Sequence, residues 1–289
     1  MFLGVVSGTM SLGAFAQNGE GALHLNFTRP EIKTMIKGPP DAARVPGFNI
    51  VVNFPDMSLT ASQQMAFTNA EAFWEAVLTG YRDAILVGSV TIDADAPAID
   101  GPGGVLGSAG PTAASQQGGF VLTTTGSMSF DSADVAVLEM SGELEEVIRH
   151  EMGHVLGFGT LWGCNPDPNT ANGCGFGAGA GTPLYTTGSG EFIGAAATAR
   201  WQSEFGQMGT PDVELEGGAG TADGHWNEVL GGGGLVGITD GVNDMAFELM
   251  TGWLNSPTFL SEMTLAQFYD NGFTSNPMTP VDLQSFTID

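Results

Sequence analysis

The run His150-Glu151-Met152-Gly153-His154 combines two imidazoles and one carboxylate at a spacing that suits zinc hydrolysis. On a helix, residues four apart lie on one face, about 6 Å apart along the axis. His150 and His154 can then each offer a ring nitrogen to one metal ion at about 2.0–2.1 Å. Glu151 is rotated partly off that face. It is badly placed as a third ligand there, but it can reach a water activated by the metal and take its proton. The bland alternative is a pair of surface histidines beside a solvated glutamate. The helical context and the residues downstream weigh against it.

A helix must carry these groups, and the sequence supplies one. Glu143 to Leu156 contains no Pro, and its interior Gly is Gly153. Glu143, Glu145 and Glu146 load the first turn, where acidic charge suits the helix dipole. Leu144, Ile148, Met152 and Val155 form one stripe at helical spacing, and the two histidines form another. Gly157 follows as a stop, because Gly tolerates the left-handed conformation that ends helices.

Two histidines do not complete a catalytic zinc site, which usually has three protein ligands plus water. In the compact pattern H-E-x-x-H-x-x-G-x-x-H the third His falls at position 160, where this chain has Thr160. The remaining histidines are His24, far upstream and read as structural, and His225. Beyond His225 comes Glu248-Leu249-Met250.

On these residues the chain resembles the leishmanolysin-like zinc metallopeptidases of bacterial type, within the metzincin clan. His150 through Phe158 matches that family's H-E-x-x-H-x-x-G-F helix. His225, in Gly224-His225-Trp226, matches its third His after a long insertion, and Glu248-Leu249-Met250 matches its Met-turn. The likeness extends upstream through Ile99–Gly107 and Phe130–Asp134, and covers roughly residues 46 to 275. It implies that His150, His154 and His225 ligate one catalytic zinc ion. Glu151 would be the general base and would pass its proton to the leaving amine. Met250 would form a hydrophobic floor under the metal. One departure stands out. Some metzincins place a Tyr just after the Met-turn, whereas Thr251, Gly252 and Trp253 follow here. No oxyanion partner besides zinc is therefore identified.

The implied fold is α+β and metzincin-like. An N-terminal lobe (46–158) would hold a twisted mixed sheet and two long helices. An irregular C-terminal lobe (159–275) would carry an insertion over 163–222, with the zinc cleft between the lobes. The implied function is a secreted zinc metalloendopeptidase acting on protein or peptide substrates. Two alternatives stay open: a gluzincin-type site with Glu191 or Glu204 as third ligand, and a non-catalytic secreted zinc-containing binding or adhesion module. Nothing points to a nucleophilic Ser or Cys.

Composition bounds the partners. Formal net charge is −25, from 7 Lys+Arg against 32 Asp+Glu in 289 residues. Such a surface repels nucleic acid and anionic membranes. Solubility or salt adaptation is the plain reading of the acidity. Asp93, Asp95 and Asp100 could offer oxygen ligands to calcium, but their spacing supports no particular calcium loop. Cys164 and Cys174 flank a short loop and are expected to form a disulfide in an oxidising compartment. Residues 1–16 are apolar and end in Ala14-Phe15-Ala16, as a signal peptide would, although no Lys or Arg precedes the apolar stretch. That points to an extracellular protein, with cell-surface or periplasmic placement as variants, and to no stable membrane insertion. Residues 17–45 read as an extension and 276–289 as a tail. The oligomeric state is not legible.

Elsewhere, alternation at Phe48, Ile50, Val52 and Phe54 predicts a strand. Thr60 and Gln63 predict a capping box and a helix to about Leu78, stopped by Gly80. Further strands are expected near 85–93, 104–109, 119–124 and 127–131, the last leading into the histidine helix. Residues 163–190 read as loop, 195–206 as a short helix and Gly231–Gly234 as a turn. Thr264 and Gln267 suggest another capped helix with Leu265 and Phe268 inward.

Overall fold

The computed structural model describes residues 23–24, 27–28, 32–37, 47–82, 85–103, 105–165, 182–228 and 235–276. The expected signal peptide, Cys174, the Gly231–Gly234 turn and residues 277–289 of the tail lie outside the described residues. In chain order the elements are β1 (Leu23–His24), β2 (Phe27–Thr28), β3 (Thr34–Lys37), β4 (Ile50–Asn53), α1 (Ala61–Val77), β5 (Leu78–Tyr81), β6 (Val90–Asp95), β7 (Gly107–Gln117) and β8 (Phe120–Phe130). They continue with α2 (Ser132–Ser141), α3 (Leu144–Leu156), α4 (Ala195–Glu204), β9 (Trp253–Leu254), α5 (Glu262–Asp270) and β10 (Phe273–Ser275).

The architecture is α+β, with five helices and a mixed sheet of six strands among the described residues, and no closed barrel. Strands β4, β6 and β8 run parallel side by side. Strand β7 joins β8 antiparallel, and β2 and β3 pair parallel with β7. The 17–45 extension thus adds strands to this sheet, and its β1 pairs with β9, just past Met250. Near the other end of the chain, β10 pairs with β5.

The β7–β8 hairpin turns at Gly118 and Gly119, both at positive φ (57° and 86°), as a two-residue turn of this hand requires. Three short strands were expected at 104–109, 119–124 and 127–131, but the chain makes two strands of 11 residues each. Pro111, which reads as a break, is absorbed by a register shift between Pro111 and Ala114.

Helix α1 has the expected capping box: Gln63 N donates to Thr60 Oγ1 (3.3 Å) and Thr60 N to Gln63 Oε1 (2.9 Å). Gly80 is not its stop. Leu78 is already extended, and the chain enters β5 directly because the ladder to β10 replaces the helical bonds. Nor does β8 lead straight into the histidine helix. Helix α2 intervenes, capped by Asp131, whose Oδ1 accepts from Ala133 N (2.8 Å), and ended by Gly142 in the left-handed region. The other oxygen of Asp131 accepts from the amides of Ile99, Asp100 and Gly101 at 2.7–3.0 Å, which folds the 99–103 loop onto α2. Burial raises the Asp131 pKa, but these backbone bonds outweigh it and hold the carboxyl below its usual range.

Helix α3 packs against α1, β7 and β8. Trp74 Nε1 donates to Arg149 O (2.9 Å), and every residue from Val147 to Leu156 is buried. The apolar stripe and the histidine stripe of α3 are thus both enclosed over this stretch. Beyond it, Phe158, Trp162, Phe192 and Trp226 interlock with ring centroids 4.7–5.5 Å apart, tying the irregular 182–228 segment to the end of α3.

Helices α4 and α5 cap each other. Glu204, in the last turn of α4, accepts from Glu262 N and Met263 N at the start of α5 (2.9 and 2.8 Å). Asp270, ending α5, accepts from Ala196 N and Ala197 N at the start of α4 (3.0 and 2.9 Å). Each carboxylate sits where its own helix dipole disfavours it and its neighbour's favours it. Part of the acidity therefore satisfies backbone N–H groups and is not surface charge alone. The N-cap of α5 is Ser261, not Thr264, so this helix starts earlier than its sequence signature suggests. Leu265 and Phe268 are buried, as expected.

Candidate metal centre

Three histidines converge from two distant stretches of chain. Helix α3 presents His150 and His154 one turn apart, and the 224–226 segment brings His225 over them. The three Nε2 atoms lie 3.0 Å (His150 to His154), 2.9 Å (His154 to His225) and 3.1 Å (His150 to His225) from one another. Among the described residues this is the one cluster of metal-ligating side chains. Their exposures, 0 %, 4 % and 2 %, make it a buried centre.

The second ring nitrogen of each histidine meets a backbone carbonyl. His150 Nδ1 contacts Leu249 O (2.6 Å), His154 Nδ1 contacts Phe158 O (2.9 Å) and His225 Nδ1 contacts Thr221 O (2.7 Å). A carbonyl oxygen can only accept, so each Nδ1 carries the proton and each Nε2 presents a lone pair. Three lone pairs aimed at one point repel unless a cation lies among them. Two nitrogens of a tetrahedral zinc site with bonds of 2.0–2.1 Å stand roughly 3.3 Å apart. The observed triangle is within a few tenths of an ångström of that, and the carbonyl partners are the outer groups that fix ring orientation in such sites. The donor set therefore fits a zinc ion.

Glu151 is buried beside the triad, with its Oε1 3.7 Å from His150 Nε2. The carboxylate thus stands beside the triad and is not one of its three convergent ligand atoms. Met250 is fully buried beneath α3. A Cβ placed on Gly153 would come within 2.8 Å of the Met250 sulfur and 3.2 Å of the Trp74 ring. Glycine at the fourth position of the run is what lets the thioether lie against the helix between the two histidines.

Gly159 does the same for His225. It has φ +68°, and a Cβ there would stand 2.4 Å from Gly224 O, next to His225. We expect Gly159→Ala to push the 224–226 segment away and weaken any metal binding by the triad at least about 10-fold. Competition with a chromophoric chelator measures this, and unchanged affinity would show that the approach does not set the position of His225.

The other sequence candidates fall elsewhere. Thr160 donates to His154 O (2.6 Å) and steadies the end of α3. Glu204 caps α5, and burial pushes it up to about 7. Glu191 is exposed and pairs across a bridge with Asp212. Neither Glu191 nor Glu204 joins the triad. Asp93 accepts from Asn53 Nδ2 (3.2 Å), Asp100 accepts from Val105 N (3.2 Å), and the two form no metal cluster with Asp95. His24 lies in β1, its backbone paired with Trp253. The expected Cys164–Cys174 bridge has one partner outside the described residues.

Sequence reasoning missed the groups that hold the ligands. The carbonyls of Leu249, Phe158 and Thr221 are invisible in side-chain patterns. Glu248 was noted as a motif letter with no role. The sequence matches no protein-family model, and no curated protein matches it significantly. Among the described residues no helix is long and apolar enough to cross a membrane.

Proposed function

We propose that this chain is a secreted zinc-dependent endopeptidase of the leishmanolysin-like, metzincin type, hydrolysing peptide bonds in proteins or peptides. The observation that carries this reading is the convergence of three Nε2 lone pairs with the Glu151 carboxylate 3.7 Å from one of them. A structural metal site is closed by four protein ligands. Here three imidazoles meet, and the Glu151 carboxylate stands beside them, as a base would. Met250 packed against Gly153 and the mixed sheet behind α3 also suit the metzincin plan. The apolar start at 1–16 and the cysteine pair support secretion.

When bound, zinc supplies Lewis acidity that makes water acidic near neutral pH and polarises a scissile carbonyl. The residues of the chain do the rest. His150, His154 and His225 hold the ion, with their rings fixed by the three carbonyls. Glu151 accepts the proton of the attacking water at its carboxylate and delivers it to the departing amine nitrogen. Burial keeps bulk water from competing for that proton. Met250 offers the site a surface without lone-pair donors of comparable strength. No covalent enzyme intermediate is involved.

The purified protein should cut casein at internal bonds, with new termini visible by mass spectrometry. A strong chelator should abolish the cutting and added zinc should restore it. Undiminished cleavage in chelator would rule out metal catalysis.

A further inference from the structure

Glu248 is a fully buried carboxylate that the proposed chemistry does not use. Its Oε2 accepts from Met250 N (2.6 Å). Its Oε1 accepts from Ser261 N (3.1 Å), Ser261 Oγ (2.9 Å) and Thr264 Oγ1 (2.6 Å). Both oxygens are acceptors throughout, a pattern that suits the ionised form. Burial pushes its pKa up, against the pull of these bonds. Among the described residues it is paired with no cation.

The groups that Glu248 gathers are those that build the metal centre. The 249–250 turn supplies Leu249 O, the partner of His150 Nδ1, and the Met250 thioether under Gly153. Thr264, bonded to Glu248, also accepts from Trp226 Nε1 (2.8 Å), and Trp226 N donates to Met250 O (3.1 Å). Trp226 follows His225 directly. One carboxylate therefore ties the outer partner of the first ligand to the neighbour of the third, and both to the N-terminus of α5.

We propose that Glu248 is a positioning residue of the metal centre: its carboxylate locks the 249–250 turn to Thr264 and Trp226, so that His150 and His225 hold their rings ready for the ion. This rests on the zinc reading above.

The test measures zinc affinity of the full chain by chelator competition, together with the visible ligand-field spectrum of the Co2+-loaded protein and the thermal midpoint. Glu248→Gln keeps the volume but sets an amide N–H2 against the donors around it. It should lose about 10- to 100-fold in zinc affinity, as outer partners of metal ligands do, and change the cobalt spectrum. Thr264→Val keeps the volume and removes the hydroxyl that donates to Glu248 and accepts from Trp226, leaving the carboxylate and its bonds to Met250 and Ser261 in place. It should lose affinity in the same direction and to a smaller extent, and it serves should Glu248→Gln fail to fold. Asp270→Asn alters another largely buried carboxylate, one that caps α4, and should lower the midpoint while leaving zinc affinity and spectrum unchanged. Wild-type affinity and spectrum in both Glu248→Gln and Thr264→Val, or in Thr264→Val alone if Glu248→Gln does not fold, would overturn the proposal. So would an equal affinity loss in Asp270→Asn. If His225→Ala binds zinc as wild type does, the zinc reading itself fails, a result distinct from either.

Discussion

His225→Ala is expected to lose zinc and hydrolysis together. The three Nε2 atoms stand 2.9–3.1 Å apart, and removing one corner leaves two neutral imidazoles on one helix face. Loss of an outer partner alone costs roughly 10- to 100-fold in metal affinity, and loss of a direct ligand should cost more. The fold should survive, because Trp226 stays in its aromatic cluster and the rings of α3 keep their carbonyl partners. Metal content of the purified variant and its thermal midpoint separate the two effects. A variant that retains zinc and cuts normally would exclude His225 from the ligand set and reopen the question of a glutamate ligand.

Glu151→Gln is expected to do the opposite: keep the metal and lose the reaction. The carboxylate lies beside the triad, 3.7 Å from His150 Nε2, so its loss leaves the three ligands in place. Glutamine fills the same space but cannot accept a proton. Loss of a general base costs typically 10²–10⁴-fold in rate, about 2.7–5.4 kcal/mol in the barrier. The expected result is a drop of that size in kcat, with zinc content unchanged and KM little altered. A fall in zinc content matching the fall in rate would show instead that Glu151 acts as a ligand.

These two variants bear on the part of the molecule that the sequence made legible. The four-residue spacing placed His150 and His154 on one helix face, and Gly157 ends that helix at φ +116° as expected. The Thr60 capping box and the inward Leu265 and Phe268 were likewise readable, because each signal is local. His225 was reachable only through resemblance, since no local rule links residues 71 apart. What could not be read is what holds these parts together. Glu204 and Asp270 sit at helix C-termini, where local rules make acidic residues unfavourable, and each acts on a helix 58 or more residues away. Helix α2 was missed because its cap, Asp131, was taken only as part of a motif. The long hairpin was not legible because the register shift that carries a strand through Pro111 depends on the partner strand and not on local residues. A chain with few cations uses carboxylates as clamps on backbone N–H groups, and the partner of a clamp is set by the fold.

The most direct measurement is a titration of the metal-free protein with zinc while casein hydrolysis is followed. The proposed function predicts that activity rises linearly and breaks at one equivalent, with Glu151→Ala taking up the same equivalent and staying at baseline. Tight uptake of one zinc with no hydrolysis in the wild type would contradict it, and would turn the centre into a binding site without the chemistry.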